Sequence, residues 1–378
     1  MKVVAAIDSL KGSLSSLDAG NAIRTGVLRA VPDAVVQVKP VADGGEGTTE
    51  ALVDAYGGEM RTVCVTGPYG EPVEAAYGLL ARQHMAVMEM ASAAGITLSA
   101  RREPLCATTL GVGEMIRDAL EQGCRRFIIG IGGSATNDGG VGMLTALGWR
   151  FLDAQGAECP PVAASLGKIT QIDTSGVHPA LVECRFQIAC DVNNPLCGET
   201  GCTCIFGPQK GVTDEIKPQL DADMRHYAEV VSDTFRVDHS TVPGAGAAGG
   251  LGFAFLSFLG GELRPGIELV LSALELDRVV RDADLVITGE GCLDEQTAFG
   301  KAPAGVAVCA KKYGVPVIAL AGGVKPGAKI CNQHGIDAFF PIVPGVITLE
   351  HAMRPEIARE NLANTTEQLM RLILSVRK

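Results

Sequence analysis

The chain repeatedly drives a short, apolar, β-branched run straight into a loop of glycine, aspartate or serine, and that alternation confines it to α/β folds. Residues 3–7 make the first such run, and Asp8 ends it. Ser15 then opens a helix with Asp18 as its capping-box partner. Ala19, Ala22, Ile23, Gly26, Val27, Ala30 and Val31 follow at helical spacing, and Pro32 stops them. A second strand over 35–38 leads into the loop ADGGEGT.

The rhythm changes between residues 61 and 90. Val63 and Val65, then Val73, Ala75 and Tyr77, alternate on either side of GPYGEP, which predicts antiparallel strands around a turn. A helical pattern returns at Val112, Met115, Ile116, Ala119 and Leu120, closed by Gly123, and a buried strand follows over 127–131. Near the C-terminus, a strand over 284–288, a helix over 304–313 and a strand over 316–321 restore the βαβ rhythm. We therefore expect two α/β domains. One is doubly wound, with a mainly parallel sheet built from both chain ends (1–60 plus 280–378). The other (61–279) is inserted and carries mixed and antiparallel strands.

Charge and composition narrow the partners. The net charge of −11 repels nucleic-acid backbones and anionic membranes, so neither is an expected partner. Residues 240–261 carry no charge, but Pro243 and seven glycines in that stretch argue against a spanning helix. The five apolar residues before Asp8 are too few for a secretory signal, and the 12 cysteines are too sparse for a disulfide scaffold. Reduced thiols and a cytoplasmic location are expected. A monomer and a homodimer are equally compatible with the sequence.

Residues at strand C-termini are the natural site candidates in such sheets. GIGGSATNDGG, residues 130–140, is the strongest segment: Gly132 and Gly133 open the backbone to an anion, while Ser134, Thr136 and Asn137 add polar groups. Asp138 is a potential magnesium ligand. Lys210, in FGPQKG, sits in a turn suited to meeting a phosphate. DSLKGS places Ser9 and Lys11 at the end of the first strand, where a lysine can neutralise a transferring phosphoryl or a carboxylate. PVADGGEGT adds Asp43 and Glu46, CDVNNPL adds Asp191, Asn193 and Asn194, and VITGEGCLDEQTAFGK adds Glu290, Asp294 and Lys301. These carboxylates suit a metal or a general base, and equally suit turns and helix caps.

Other chemistries find little support. No G-x-x-x-x-G-K-[ST] or G-x-S-x-G occurs, and Cys197, Cys202 and Cys204 lack zinc spacing. Gly130, Gly132 and Ala135, and again Gly244, Gly246 and Gly249, match loose dinucleotide fingerprints. They keep open a nicotinamide-dependent hydroxy-acid oxidoreductase, separable by cofactor difference spectra. A non-catalytic sugar-acid sensor is the other alternative; it would use the same loops without magnesium.

Taken together, DSLKGSLSS, PVADGGEGT, GIGGSATNDGG, CDVNNPL, FGPQKG, PGAGAAGGLG, RPGIELV and DLVITGEGCLDEQTAFGKAP resemble the type-1 glycerate kinases of bacteria. The resemblance runs from Asp8 to about Pro303; Gly12 departs from it, standing where an acidic residue is expected. It implies two α/β domains with the site in the cleft between them, and transfer of the γ-phosphoryl of ATP to D-glycerate, giving 2-phosphoglycerate. ATP and Mg²⁺ are the implied cofactors. On that expectation Asp191 accepts the hydroxyl proton, with Asp294 as rival, and Lys11 stabilises charge. Gly132, Gly133, Ser134, Asn137, Lys210 and Lys301 hold phosphates, Ser9 and Asn193 touch substrate, and Asp138, Asp43 and Glu290 are the metal candidates.

Overall fold

A computed structural model describes residues 1–45 and 47–376; Glu46 of the ADGGEGT loop lies outside them. Among the described residues there are thirteen strands: β1 (Lys2–Ile7), β2 (Val35–Pro40), β3 (Glu59–Thr66), β4 (Pro72–Leu80), β5 (Met85–Glu89), β6 (Arg126–Gly130), β7 (Arg150–Leu152), β8 (Gln171–Asp173), β9 (Arg185–Ala189), β10 (Glu262–Arg264), β11 (Leu285–Leu293), β12 (Val317–Val324) and β13 (Ala338–Pro341). The chain folds into two compact units, Met1–Gly57 with Ile267–Lys378, and Gly58–Gly266.

The first unit is built on a five-stranded sheet of order β13-β12-β11-β1-β2, every neighbouring pair parallel. Parallel strands need crossovers, and helices supply them. Ser16–Ala30 joins β1 to β2; its N-cap is Ser15, whose hydroxyl accepts the Asp18 N–H at 3.1 Å. Val3, Ala5, Ile7, Ile23 and Val27 are fully buried and pack with Leu285, Ile287, Leu362 and Met370. Each of the larger side chains among them, Ala5 excepted, contributes about 1.5–3 kcal/mol. At one point β11 and β12 leave no room for a side chain: a Cβ at Gly289 would lie 1.8 Å from the Leu320 carbonyl oxygen, so only glycine lets β11 continue past it.

The second unit carries a six-stranded sheet of order β10-β9-β6-β5-β4-β3 and a two-stranded antiparallel sheet of β7 and β8. β3–β4 and β4–β5 are antiparallel, with Thr66 opposite Pro72 beside the GPYGEP turn, and the remaining pairs are parallel. Its core joins Phe127, Ile129, Phe186 and Ile188 of the sheet to Met115, Ile116, Tyr227 and Phe255 of the helices. This architecture is the α/β fold expected, one sheet parallel and one mixed.

The second unit boundary falls at 266/267, upstream of residue 279. Ile267 belongs with the first unit because it packs on Gly305, where a Cβ would meet its Cγ1 at 2.3 Å. Among the described residues no helix is long and apolar enough to cross a membrane. The uncharged stretch forms the helix Ala247–Leu259, broken at its start by left-handed backbone at Ala248, Gly249 and Gly250. All 12 cysteines are free thiols.

Candidate active site

In the first unit the C-terminal ends of the parallel strands open into a cavity of about 510 Å³. Asp8, Ser9 and Lys11 follow β1; Asp43 follows β2; Glu290, Asp294 and Lys301 come from β11 and the turn after it. Gly322 and Gly323 of β12 complete the polar side. Ile342, Val343, Leu349 and Met353 form an apolar wall. The cavity therefore gathers four carboxylates and two lysines beside apolar surface, and charge interactions are strongest at its two buried members, Asp8 and Glu290.

The four carboxylates are held differently. Asp294 is the N-cap of the turn Glu295–Ala298: its Oδ1 accepts the Gln296 N–H at 3.0 Å, and Thr297 returns the capping box. Lys325 lies 3.1 Å from its other oxygen, and that hydrogen bond pulls the Asp294 carboxyl below its ordinary range. Glu290 Oε1 accepts the Thr297 hydroxyl at 2.6 Å, while Oε2 faces Lys301 Nζ at 3.6 Å. Burial pushes the Glu290 carboxyl up against those two contacts. Asp43 Oδ1 accepts the Gly45 N–H at 3.1 Å.

Asp8 is the residue that reading the sequence treated only as the end of a strand. It is 6% exposed, and its Oδ1 accepts the Ser9 N–H at 2.6 Å. Burial pushes its carboxyl up to about 7, repulsion from Asp43 and Glu290 adds to the rise, and the Ser9 N–H and Lys11 oppose it. The available signal was its position, directly after a fully apolar run and three residues before a lysine.

The second unit holds the other expected residues. Gly132 and Gly133 are exposed, with open space where a Cβ at Gly132 would sit. The rest of residues 130–140 turns inward. Asp138 is 0% exposed; it accepts the N–H and hydroxyl of Thr109, both at 2.8 Å, and the N–H groups of Gly140 at 3.1 Å and Gly142 at 3.2 Å. Three of those bonds fall on Oδ2 and one on Oδ1, so the carboxylate is tied to the protein through both oxygens. Asn137 is buried too and donates to Thr203 Oγ1 at 3.0 Å. Lys210 is 1% exposed and donates to Ser134 Oγ and the Thr136 carbonyl at 2.7 and 2.6 Å. It therefore props the loop from beneath, because the short helix Pro208–Lys210 aims it inward.

The second glycine run explains itself by packing. The Gly139 N–H donates to the Gly249 carbonyl at 2.9 Å, and a Cβ at Gly249 would fall 2.1 Å from the Thr136 carbonyl oxygen. Gly244–Gly249 thus serves as a backbone seat for the first glycine loop, and no strand precedes it as a dinucleotide fingerprint requires. Asp191 and Asn193 are exposed beyond β9, with Asp191 Oδ1 accepting the Gly266 N–H at 3.0 Å. Among the described residues no group of three His, Cys, Asp or Glu side chains is placed to hold a metal ion.

Comparison with known proteins adds a consistent picture. The model of the glycerate kinase family matches residues 3–374. The chain is 47% identical to a protein of Bacillus subtilis (strain 168) named glycerate kinase, over 98% of this chain and 97% of that one. It is 49% identical to a protein of Escherichia coli (strain K12) named glycerate 2-kinase, over 94% of this chain and 93% of that one. Its fold superposes with a TM-score of 0.91 on a crystal structure described as glycerate kinase 2 from Salmonella typhimurium LT2, at 45% identity, covering 100% of this chain and 99% of that one.

Proposed function

The chain belongs to the glycerate kinase family and is an ATP-dependent kinase acting on a hydroxyl of glycerate, and from that premise we infer that the cavity at the strand ends of the first unit is where the phosphoryl group moves. The observation that carries this reading is the convergence of Asp8, Lys11, Asp43, Glu290 and Lys301 on one cavity. The product is 2-phosphoglycerate, in keeping with the name of the Escherichia coli relative.

Phosphoryl transfer asks a protein chiefly to align two oxygens and to spread charge from the γ-phosphoryl. Lys11 and Lys301 supply the positive charge in the cavity; Ser9 offers a hydroxyl to the substrate. Lys301 is held by Glu290, which fixes its ammonium where two anions would otherwise repel each other. Leu349 and Met353 add apolar surface to one side of the cavity, and Leu349 is still largely in solvent there.

Magnesium enters as part of the ATP·Mg²⁺ substrate. Among the described residues there is no three-residue cage, which suits an ion that keeps several waters and takes most of its ligands from phosphates. Asp43, whose Oδ1 accepts the Gly45 N–H, is placed to accept a hydrogen bond from one of those waters. The exposed backbone of Gly132 and Gly133 is the second unit's candidate contact for nucleotide phosphates. Asp138, Asn137 and Lys210 support that loop from within.

The test is direct. Pure protein with ATP, Mg²⁺ and D-glycerate, followed by phosphorus NMR, should yield the 2-phosphoglycerate resonance. A 3-phosphoglycerate signal would move the attacking hydroxyl, and the absence of transfer would remove the kinase reading of this cavity.

A further inference from the structure

The carboxylates of the first unit's cavity differ in what they have left to give. Asp294 has one oxygen on the Gln296 N–H and the other on Lys325, so its charge is already stabilised and it is a poor proton acceptor. Glu290 has one oxygen on the Thr297 hydroxyl and the other facing Lys301. Asp8 uses Oδ1 for the Ser9 N–H, and among the described residues nothing donates to its Oδ2. The backbone that carries it is pinned: the Asp8 N–H donates to the Gly289 carbonyl at 3.0 Å, and β1 lies between β2 and β11, wholly buried from Val3 to Ile7. A rigid carboxylate with one open oxygen, lining a cavity that Lys11 also lines, is the arrangement that a proton-accepting group requires.

We propose that Asp8 accepts the proton of the attacking glycerate hydroxyl. The proposal rests on the kinase reading of this cavity. In the step, the substrate oxygen forms a bond to the γ-phosphorus as the bond from that phosphorus to the β–γ bridging oxygen breaks. The electron pair of the broken bond leaves with ADP. The hydroxyl proton passes to Asp8 Oδ2 and then to solvent. Burial has lifted Asp8 to about 7, so the acceptor is matched to neutral pH instead of being a weak base like an ordinary aspartate. The charged groups that set this are Lys11 from its own loop, Asp43 after β2 and Glu290 on β11.

D8N separates catalysis from structure, since an asparagine oxygen can still accept the Ser9 N–H. The expected results are a loss of kcat of about 10²–10⁴-fold with the Kd for ATP, measured calorimetrically, within about threefold of wild type. The wild-type kcat/KM, which reports the free enzyme, should fall tenfold per pH unit below about pH 7, and the residual D8N activity should lose that limb. If D8N turns over within threefold of wild type, or keeps an unchanged acid limb, Asp8 is not the acceptor. If D8N keeps its rate while D191N loses it, the acceptor is Asp191. Should D8N fail to fold, the wild-type profile decides: a flat kcat/KM between pH 5.5 and pH 8 overturns the proposal. Wild-type protein that makes no phosphoglycerate would instead remove the kinase reading, and this step with it.

Discussion

The ammonium of Lys210 lies 2.6 Å from the carbonyl oxygen of Thr136, entirely beneath the glycine loop of the second unit. No carboxylate touches it, and burial pushes the group down to about 8 from 10.5, with Cys202 and Asp138 acting in the other direction. Between those two pH values the unfolded chain binds more protons at this site than the folded one, so folding stability rises with pH across the window. The gain is on the order of 3 kcal/mol. Urea unfolding from pH 7.5 to 10.5 should show this slope in the wild type and a smaller slope in K210M. An equal slope in K210M would place the titration elsewhere.

Asp8 carries the opposite sign. Its carboxyl is raised from 3.8 to about 7, so the folded state holds the proton more tightly, and this contribution to stability is lost as pH rises through that range. A charged Asp8 at pH 8 therefore costs stability on the order of 4 kcal/mol, which D8N removes. The D8N protein should melt at a higher temperature than wild type at pH 8, with little difference at pH 4. Lower melting at pH 8 would mean that the carboxylate holds the fold together and is not stored strain of the kind active sites keep.

The contrast between Asp8 and Asp294 shows what was legible in the sequence. The Ser15 cap, the antiparallel pair around GPYGEP and the strand before GIGGSATNDGG are local, so spacing revealed them. The glycine loops were visible as loops; which of their side chains face a ligand was not. Lys210 and Asp138 look like surface groups because nothing nearby in sequence buries them; residues as distant as Thr109 and Ser134 do. Asp8 is raised by burial between β2 and β11, the latter nearly three hundred residues away. β11 extends to Leu293, past a glycine that reads as a loop start, because the close approach to Leu320 admits glycine only.

Asp294 illustrates the capping alternative. Replacing it with alanine removes the cap of Glu295–Ala298 and the Lys325 pair, of which the cap contributes about 1 kcal/mol. D294N, which preserves the Gln296 contact, should keep kcat within about tenfold, far from the loss expected of a proton acceptor. A drop beyond a hundredfold in D294N, measured under saturating ATP and glycerate, would return the base assignment to Asp294.

The seat beneath the glycine loop makes its own prediction. Gly249 has φ +69°, and a Cβ there would fall 2.1 Å from the Thr136 carbonyl oxygen. Alanine is strained by its backbone and by the contact together, so G249A should cost about 2–4 kcal/mol in urea unfolding. Because the contact is with the loop's own backbone, the damage should also raise the KM for ATP. A G249A protein with wild-type stability would mean that the two glycine runs do not pack as a unit.

Asp138 decides between support and metal binding. Its carboxylate accepts four hydrogen bonds, three from backbone N–H groups of Thr109, Gly140 and Gly142. Burial pushes its carboxyl up against them. D138A strands three buried donors, each costing about 1–3 kcal/mol, so the variant should be severely destabilised or insoluble. D138N is the more informative change: it keeps an acceptor but brings an NH₂ toward donors, and should lose at least about 2 kcal/mol. Because the side chain has no exposed surface, the Mg²⁺ concentration giving half-maximal turnover in folded D138N should stay within twofold of wild type. A tenfold rise in that concentration at unchanged stability would make Asp138 a metal ligand after all, and would require the loop to open during turnover.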